Sequence, residues 1–406
     1  MPIQILIVED DKLTRNSLCQ IIQKLDYEVM TASDGLEAWN ILREKPVDIV
    51  ITDWMMPGMD GLELCKRIRS ADLRNYVYVI ILTARGGKKE LIEAIDAGAD
   101  DFAVKPSTQL ELSARIKAGK RILKLQSDLK EQNEKLSKSN RKLNHAYSVI
   151  KKDLEAGAKI QSSLLPQKAS IISGISFDWI FLPSEFVAGD VFNYFRLDEN
   201  HVGFYVLDVA GHGIPAAMLS VTLSKALSPA NTQECLLKQF MPVPEPPYYK
   251  IINPATAIKM LNERFQADPE TMQYFTIVYG IIDIQNGETV ITQAGHPCPI
   301  LLQKGTSANL IGKGGFPVGM LPNIDYEEQE IVLNRGDRLF AFSDGITECI
   351  NSKQQEFSPE RLMDLVEEGR NFPLRKLLEL IEHRLHQWKG DNTFEDDVTL
   401  LAIEIT

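Results

Sequence analysis

Eight acids in this chain of 406 residues border apolar runs that read as β-strands. Glu9 and Asp10 follow Ile5–Val8, Asp53 follows Ile49–Thr52, Asp190 opens a further run and Asp208 closes Val202–Leu207. Asp344 comes just after Leu339–Phe342, and Asp396 and Asp397 precede Val398–Ile405. Thr83 and Lys105, the latter followed by Pro106, end two more runs in the N-terminal part. A carboxylate nucleophile, acids able to hold Mg²⁺, a hydroxyl and an ammonium are what phosphoryl transfer to an aspartate requires. The later acids, in Gly189-Asp190, Asp208-Val209, Ser343-Asp344-Gly345 and Asp396-Asp397, form an oxygen-only set without cysteine or paired-histidine spacing. Such a set favours Mg²⁺ or Mn²⁺ over zinc, and two such ions would activate a water for in-line attack on a phosphate ester. Gly-Asp and Asp-Gly pairs are also ordinary turns, and His212 in Gly211-His212-Gly213 alone reads as a hydrogen-bonded structural histidine. The chemistry rests on the set.

These residues need elements to gather them, and the length calls for two or three domains. From Gln4 to about Lys117, strands at Ile5–Val8, Ile49–Thr52, Val77–Leu82 and Asp101–Val104 are separated by helices at Leu13–Leu25, Gly35–Glu44 and Leu62–Ser70. This is the grammar of a doubly wound parallel sheet. In the order 2-1-3-4-5, strands 1 and 3 are neighbours, so Glu9, Asp10 and Asp53 converge at the carboxyl edge. From Pro166 onward, runs at Val202–Leu207, Phe275–Ile284, Thr289–Ile291, Arg338–Phe342 and Val398–Ile405, with helices at Ala216–Leu227, Ala255–Phe265 and Leu374–Gln387, predict an α+β domain with a large, mostly antiparallel sheet. Ser228–Pro254 holds six prolines and reads as a long loop or lid.

Between them, prolines vanish, and Ile122, Leu129, Leu136, Leu143 and Ile150 recur every seven residues with Leu164 in phase. This period predicts a coiled coil, and hence a homodimer; the alternative is a long amphipathic connector lying on its own domains. The companion stripe is Gln126, Asn133, Asn140, Tyr147, Leu154 and Gln161, so much of the seam is polar and the pairing marginal. The segment 118–165 carries 11 Lys/Arg against 5 Asp/Glu, a net +6, which leaves −18 of the total −12 for the rest of the chain. That balance, and the lack of a basic helix-turn-helix pattern, exclude a DNA-binding regulator. The five cysteines are scattered, with no CxxC pair, so neither a disulfide framework nor a thiolate zinc site is expected. Apolar runs are too short to cross a bilayer and Met1-Pro2-Ile3 has no basic leader, so no membrane partner and a cytoplasmic location are expected.

Ile5–Asp11, the Thr52–Gly61 stretch (TDWMMPGMDG), Leu82-Thr83-Ala84 and Lys105-Pro106 make residues 1–122 resemble the receiver domain of two-component response regulators, a flavodoxin-like fold. The resemblance implies that Asp53 is the phosphoacceptor for a sensor histidine kinase and that Glu9 and Asp10 form the acidic pocket for Mg²⁺. It implies further that Met55 offers a backbone carbonyl to that ion, that Thr83 and Lys105 contact the phosphoryl group, and that Phe102 is the switch aromatic. Glu9 stands where Asp is commoner. The later acidic motifs, with Ala158–Pro166, Ala294-Gly295-His296-Pro297 and Gly315–Gly319, resemble the SpoIIE/RsbU-type branch of the metal-dependent PPM Ser/Thr phosphatases. That resemblance implies an αββα sandwich over residues 166–406. It also implies two Mg²⁺ or Mn²⁺ ions bound by Asp190, Asp208, the Val209 carbonyl, Asp344 and Asp396, with Asp397 beside them or as an auxiliary ligand. The family often has GGDxxD where this chain ends in Asn193; in a strand Asp190 and Asn193 face opposite ways, which limits the effect.

A receiver joined through a coiled-coil linker, 123–165, to such a phosphatase resembles RsbU/RssB-like regulators of partner switching. The implied substrate is a phosphorylated anti-sigma-factor antagonist of the STAS type. The rival expectation is an inactive adaptor that binds a sigma factor or its regulator; its signature would be loss of the metal acids, and all four are present.

Overall fold

The computed structural model describes residues 3–73, 75–84, 87–229, 235–241, 248–267, 273–390 and 393–406. Two compact units emerge, Met1–Ala146 and Tyr147–Thr406. The first contains β1 (Gln4–Val8), α1 (Lys12–Gln23), β2 (Glu28–Ala32), α2 (Gly35–Glu44), β3 (Ile49–Asp53), α3 (Gly61–Ser70), β4 (Tyr78–Thr83), α4 (Lys88–Asp96), β5 (Asp101–Val104) and the start of α5 (Gln109–Ser162). Its strands are parallel in the order β2-β1-β3-β4-β5. Continuous burial along β1, β3 and β4 explains their unbroken apolar runs, because helices cover both faces. Leu42, Leu64 and Ala94 pack on one face; Leu18, Ile22, Leu112 and Ile116 pack on the other.

Helix starts are specified locally. Asp11, Asp34 and Asp60 each accept a backbone N–H from the first turn of α1, α2 and α3. A Cβ on Gly61 would stand 2.1 Å from the Asp53 carbonyl oxygen, so only glycine lets α3 begin against the end of β3.

The second unit continues with β6 (Ser170–Ile172), β7 (Ile175–Leu182), β8 (Val191–Arg196), β9 (His201–Val209), α6 (Ile214–Ala226), β10 (Lys238–Phe240), β11 (Tyr249–Ile251) and α7 (Pro254–Arg264). There follow β12 (Phe275–Asp283), β13 (Glu288–Ala294), β14 (Ile300–Leu302), β15 (Asn309–Leu310), β16 (Glu328–Val332), β17 (Arg338–Phe342), α8 (Asp344–Thr347), α9 (Pro359–Glu368), α10 (Leu374–Lys389) and β18 (Val398–Ile405). The large antiparallel sheet expected from the apolar runs is divided into two, as the αββα resemblance implies: β16-β13-β12-β9-β8 and β15-β14-β17-β18-β7-β6. They stack through Phe177, Leu401 and Ile403 on one side and Phe192, Phe204 and Val278 on the other. The outer face of the first sheet is covered by α6 and α7, and that of the second by α9 and α10, through Leu223 and Leu261 and through Leu362 and Leu377. The result is an αββα sandwich. The proline-rich stretch contains β10 and β11, while its residues 230–234 and 242–247 lie outside the described residues.

Helix α5 spans 54 residues, and Leu129, Leu136, Leu143 and Ile150 on its heptad stripe are each more than half exposed. The companion stripe departs from a coiled-coil seam at its end. Leu154 is half-buried and Gln161 is buried within the second unit, and Leu164 lies past the end of the helix. Among the described residues, no helix is long and apolar enough to cross a membrane.

Candidate functional site

In the parallel sheet, Glu9, Asp10 and Asp53 hang from the carboxyl ends of β1 and β3, with oxygens of all three within 4.8 Å of one another. Glu9 is buried, and burial followed by repulsion from Asp53 raises its pKa against the pull of Lys105. Lys105 Nζ lies 2.6 Å from Glu9 Oε2 and 3.0 Å from Asp53 Oδ2. Burial disfavours its charge, but these two carboxylates more than offset that and raise its pKa. The Trp54 N–H donates to Asp53 Oδ1 at 2.8 Å. Arg15, absent from the sequence-based set, donates from Nη1 to the carbonyl oxygens of Glu9 (2.5 Å) and Asp10 (3.2 Å), fixing the acidic loop. Thr83 is buried at the end of β4. Met55 has an exposed side chain, and the Phe102 ring lies under the Arg115 guanidinium at 5.5 Å.

Five later acids meet at one end of the stacked sheets, and pairing explains why. Val191 pairs with Leu207, so Asp190 before β8 sits beside Asp208 near the end of β9. Phe342 pairs with Leu400, and the Ser343 N–H donates to the Thr399 carbonyl at 3.0 Å, so Asp344 and Asp396–Asp397 flank adjacent strand ends. Asp190 is buried, and among the described residues no donor meets either carboxylate oxygen at full hydrogen-bond geometry, although the Thr399 and Ser343 hydroxyls come close enough to lower its pKa in part. Burial, then repulsion from Asp208 and Asp397, raises its pKa strongly. Asp208 is pushed up to about 7 by burial and by Asp344 and Asp396. Burial likewise raises Asp344, with Glu348 adding to the effect, and Asp396, with Asp344 and Asp397 adding. Among the described residues no three of these acids approach within a single-ion radius as the N-terminal trio does. They form a chain, Asp190 to Asp208 to Asp344 and Asp396, and such a chain suits donors divided between two cations. A buried carboxylate that faces further acids and has no cationic partner beside it among the described residues is the strongest sign that the residues fit a cation.

Asp397 has a different part. Its Oδ1 accepts the Ser184 N–H (2.8 Å) and hydroxyl (3.0 Å), and its Oδ2 accepts the Gly189 N–H (2.7 Å), so it holds the loop that carries Asp190. A Cβ on Gly345 would meet the Asp397 carbonyl oxygen at 2.1 Å, and one on Gly189 would meet that of Val209 at 3.1 Å. Both glycines let acid-bearing segments cross closely, and the Val209 carbonyl borders the Asp190 loop. His212 is 76% exposed at the rim, with Nδ1 3.5 Å from Glu185, and the flanking Gly211 and Gly213 adopt φ of 96° and 80°. His296, fully buried with its pKa lowered to about 3 by burial, is neutral, and its Nδ1 lies 2.7 Å from the hydroxyl of Thr276, the residue paired with Asp208. Asn193 points to the helix-covered side with Val191 and Phe195 and accepts the Tyr194 N–H at 2.9 Å, away from the inter-sheet face.

These raised carboxyls have a consequence for pH. A carboxyl with a folded pKa of about 7 and an ordinary value of 3.8 holds its proton in the folded state and not in the unfolded state between those values. Stability of the metal-free protein therefore falls as pH rises through this window, by up to about 1.4 kcal/mol per pH unit for each such proton. Thermal melts in chelator from pH 4.5 to 7.5 should show this decline, and saturating Mn²⁺ should stabilise more at the higher pH. A Mn²⁺ effect that shrinks with rising pH would contradict the assignment.

Two family models match the chain: Stage II sporulation protein E (SpoIIE) over residues 198–406 and the response regulator receiver domain over residues 5–117. Phosphoserine phosphatase RsbP of Bacillus subtilis (strain 168) is 24% identical over 259 residues, 63% of this chain and 58% of that protein. Response regulator MprA of Mycobacterium sp. (strain KMS) is 41% identical over 118 residues, 29% of this chain and 50% of that protein. The chain thus spans little more than half the length of the curated relatives it matches. The SiaA-PP2C domain of Pseudomonas aeruginosa superposes with a TM-score of 0.54 at 18% identity, covering 64% of this chain and 99% of that domain, and so shares the sandwich fold. With just over half its residues matched by one model and the N-terminal sheet by the other, the chain belongs to the SpoIIE family, its PPM-type domain preceded by a response-regulator receiver.

Proposed function

We propose that this chain is a response regulator in which phosphorylation of Asp53 controls a metal-dependent protein serine/threonine phosphatase. The observation that carries the reading is the buried Asp190 carboxylate at the end of a chain of four mutually repelling acids. We read residues 1–122 as the receiver, 123–165 as the linker and 166–406 as the phosphatase.

Asp190, Asp208, Asp344 and Asp396, with the Val209 carbonyl, would hold Mg²⁺ or Mn²⁺, which supplies positive charge to bind a phosphate ester and lower the pKa of a water. Asp397 and the glycine contacts keep the acids in place. In the receiver, Asp53 is the nucleophile toward a phosphodonor such as a sensor histidine kinase. Glu9 and Asp10 would hold Mg²⁺, the Met55 carbonyl completing that site, and Lys105 and Thr83 take the added phosphoryl charge. Phe102 carries the switch. Asp53→Asn is expected to take up no phosphoryl group from acetyl phosphate by intact mass, and Lys105→Ala to do so roughly 10²-fold more slowly.

The RsbP likeness supports a phosphoserine protein as substrate, and an anti-sigma-factor antagonist in a partner-switching pathway is the proposed one. The exposed stripe Leu129, Leu136, Leu143 and Ile150 is the proposed homodimer seam. The test is hydrolysis of a phosphoserine peptide by purified protein with Mn²⁺, against chelator, with and without beryllofluoride on Asp53. Metal-dependent turnover that responds to beryllofluoride is expected; none in either receiver state, from folded protein, overturns the reading.

A further inference from the structure

The end of α5 turns Leu154, Gly157, Ala158 and Gln161 away from solvent, one face at helical spacing. Gln161, 6% exposed, grips a single residue: the Ala188 N–H donates to its Oε1 at 2.9 Å and its Nε2 donates to the Ala188 carbonyl at 2.6 Å. Nε2 also lies 3.2 Å from the Ser220 hydroxyl of α6. Ala188 belongs to the connection between β7 and β8, where no strand ladder takes its N–H and C=O, so the glutamine amide replaces a backbone partner. Two residues on stands Asp190. Asp397 holds Gly189 from the other side, so the peptides entering Asp190 are clamped from β18 and from α5.

We propose that Gln161 is a positioning residue: through Ala188 it sets the backbone from which Asp190 projects, so that the cation affinity of the acidic site depends on how the end of α5 is seated. The inference rests on the reading of Asp190 as a metal ligand. The same side chain is in heptad phase with Asn133 and Asn140, and a helix pairing along that stripe to its end would withdraw Gln161 from Ala188. One amide cannot serve both, which couples helix pairing to the metal site.

The test is Mn²⁺ binding by calorimetry to the full chain carrying Asp10→Asn and Asp53→Asn, which leaves Glu9 alone of the three receiver acids and takes that site out of the signal. This parent is compared with added Gln161→Leu and Gln161→Glu, each also melted in chelator. Leu keeps the volume and loses both bonds; Glu keeps the acceptor for the Ala188 N–H and loses only the donor. Dissociation constants raised about 10- to 100-fold in Gln161→Leu, and less in Gln161→Glu, are expected, the range seen when groups supporting metal ligands are removed. A melting temperature that falls while Mn²⁺ binding stays within about twofold of the parent in both variants would make Gln161 structural only and overturn the proposal. A parent that binds no Mn²⁺ would instead sink the reading of the acids as ligands, and this inference with it.

Discussion

Asp208→Asn is expected to abolish metal-dependent phosphoester hydrolysis while raising the melting temperature of the metal-free protein. The two effects have one cause. Asp208 stands midway in the chain of acids, beside Asp190 and facing the charges of Asp344 and Asp396, in a partly buried position. Its pKa of about 7 against an ordinary 3.8 means that ionising it near pH 8 without a cation costs on the order of 2–4 kcal/mol. Asparagine removes that cost. It also removes a ligand charge worth several kcal/mol at the transition state, so turnover should fall by about 10³-fold or more. Paired assays of phosphoserine-peptide hydrolysis with Mn²⁺ and of melting in chelator test both halves. A variant that is both inactive and less stable would show that Asp208 holds the fold instead of a cation.

Asp397→Ala should be among the most destabilising single substitutions in the second unit, by about 2–4 kcal/mol. The lost carboxylate leaves the Ser184 and Gly189 N–H groups without their acceptor, and each unsatisfied buried donor costs about 1–3 kcal/mol. Ser184→Ala, which removes only the hydroxyl contact at 3.0 Å, should cost about 1 kcal/mol. Urea denaturation of both variants in chelator gives the comparison. Equal losses would mean that the backbone contacts contribute little and that Asp397 acts mainly through the Ser184 hydroxyl.

The sequence marks some of these features well and hides others for physical reasons. β1, β3 and β4 are buried on both faces and appear as uninterrupted apolar runs, whereas β2, with only Ala32 fully buried in Glu28–Ala32, is an edge strand with no clear period. Strands β9 and β12 are equally conspicuous, yet continuous burial does not say whether a helix or a second sheet lies above, so one large sheet was the natural expectation. Helices α6, α7 and α10 follow their patterns to within two residues. The acids were legible as motifs because they end strands. Their supports were not: Gly345 and Gly189 matter through close approaches between distant segments, and Ser184 through a partner 213 residues away. Gln161 misled because the seven-residue period runs on through it, and only tertiary packing shows that its amide is engaged within the sandwich.

The apolar layer between the sheets, Phe177, Leu401 and Ile403 against Phe192, Phe204 and Val278, makes no directional bonds of its own. Asp190 and Asp208 ride on one leaf, and Asp344 and Asp396 on the other. Like the covers of a book, the leaves are tied at this end by the bond from the Gly189 N–H beside one to the Asp397 carboxylate beside the other. Oxygen ligation tolerates far less misplacement than hydrocarbon contact does. A cation shared by both leaves would therefore act as a second clasp, set directly between the acids they carry.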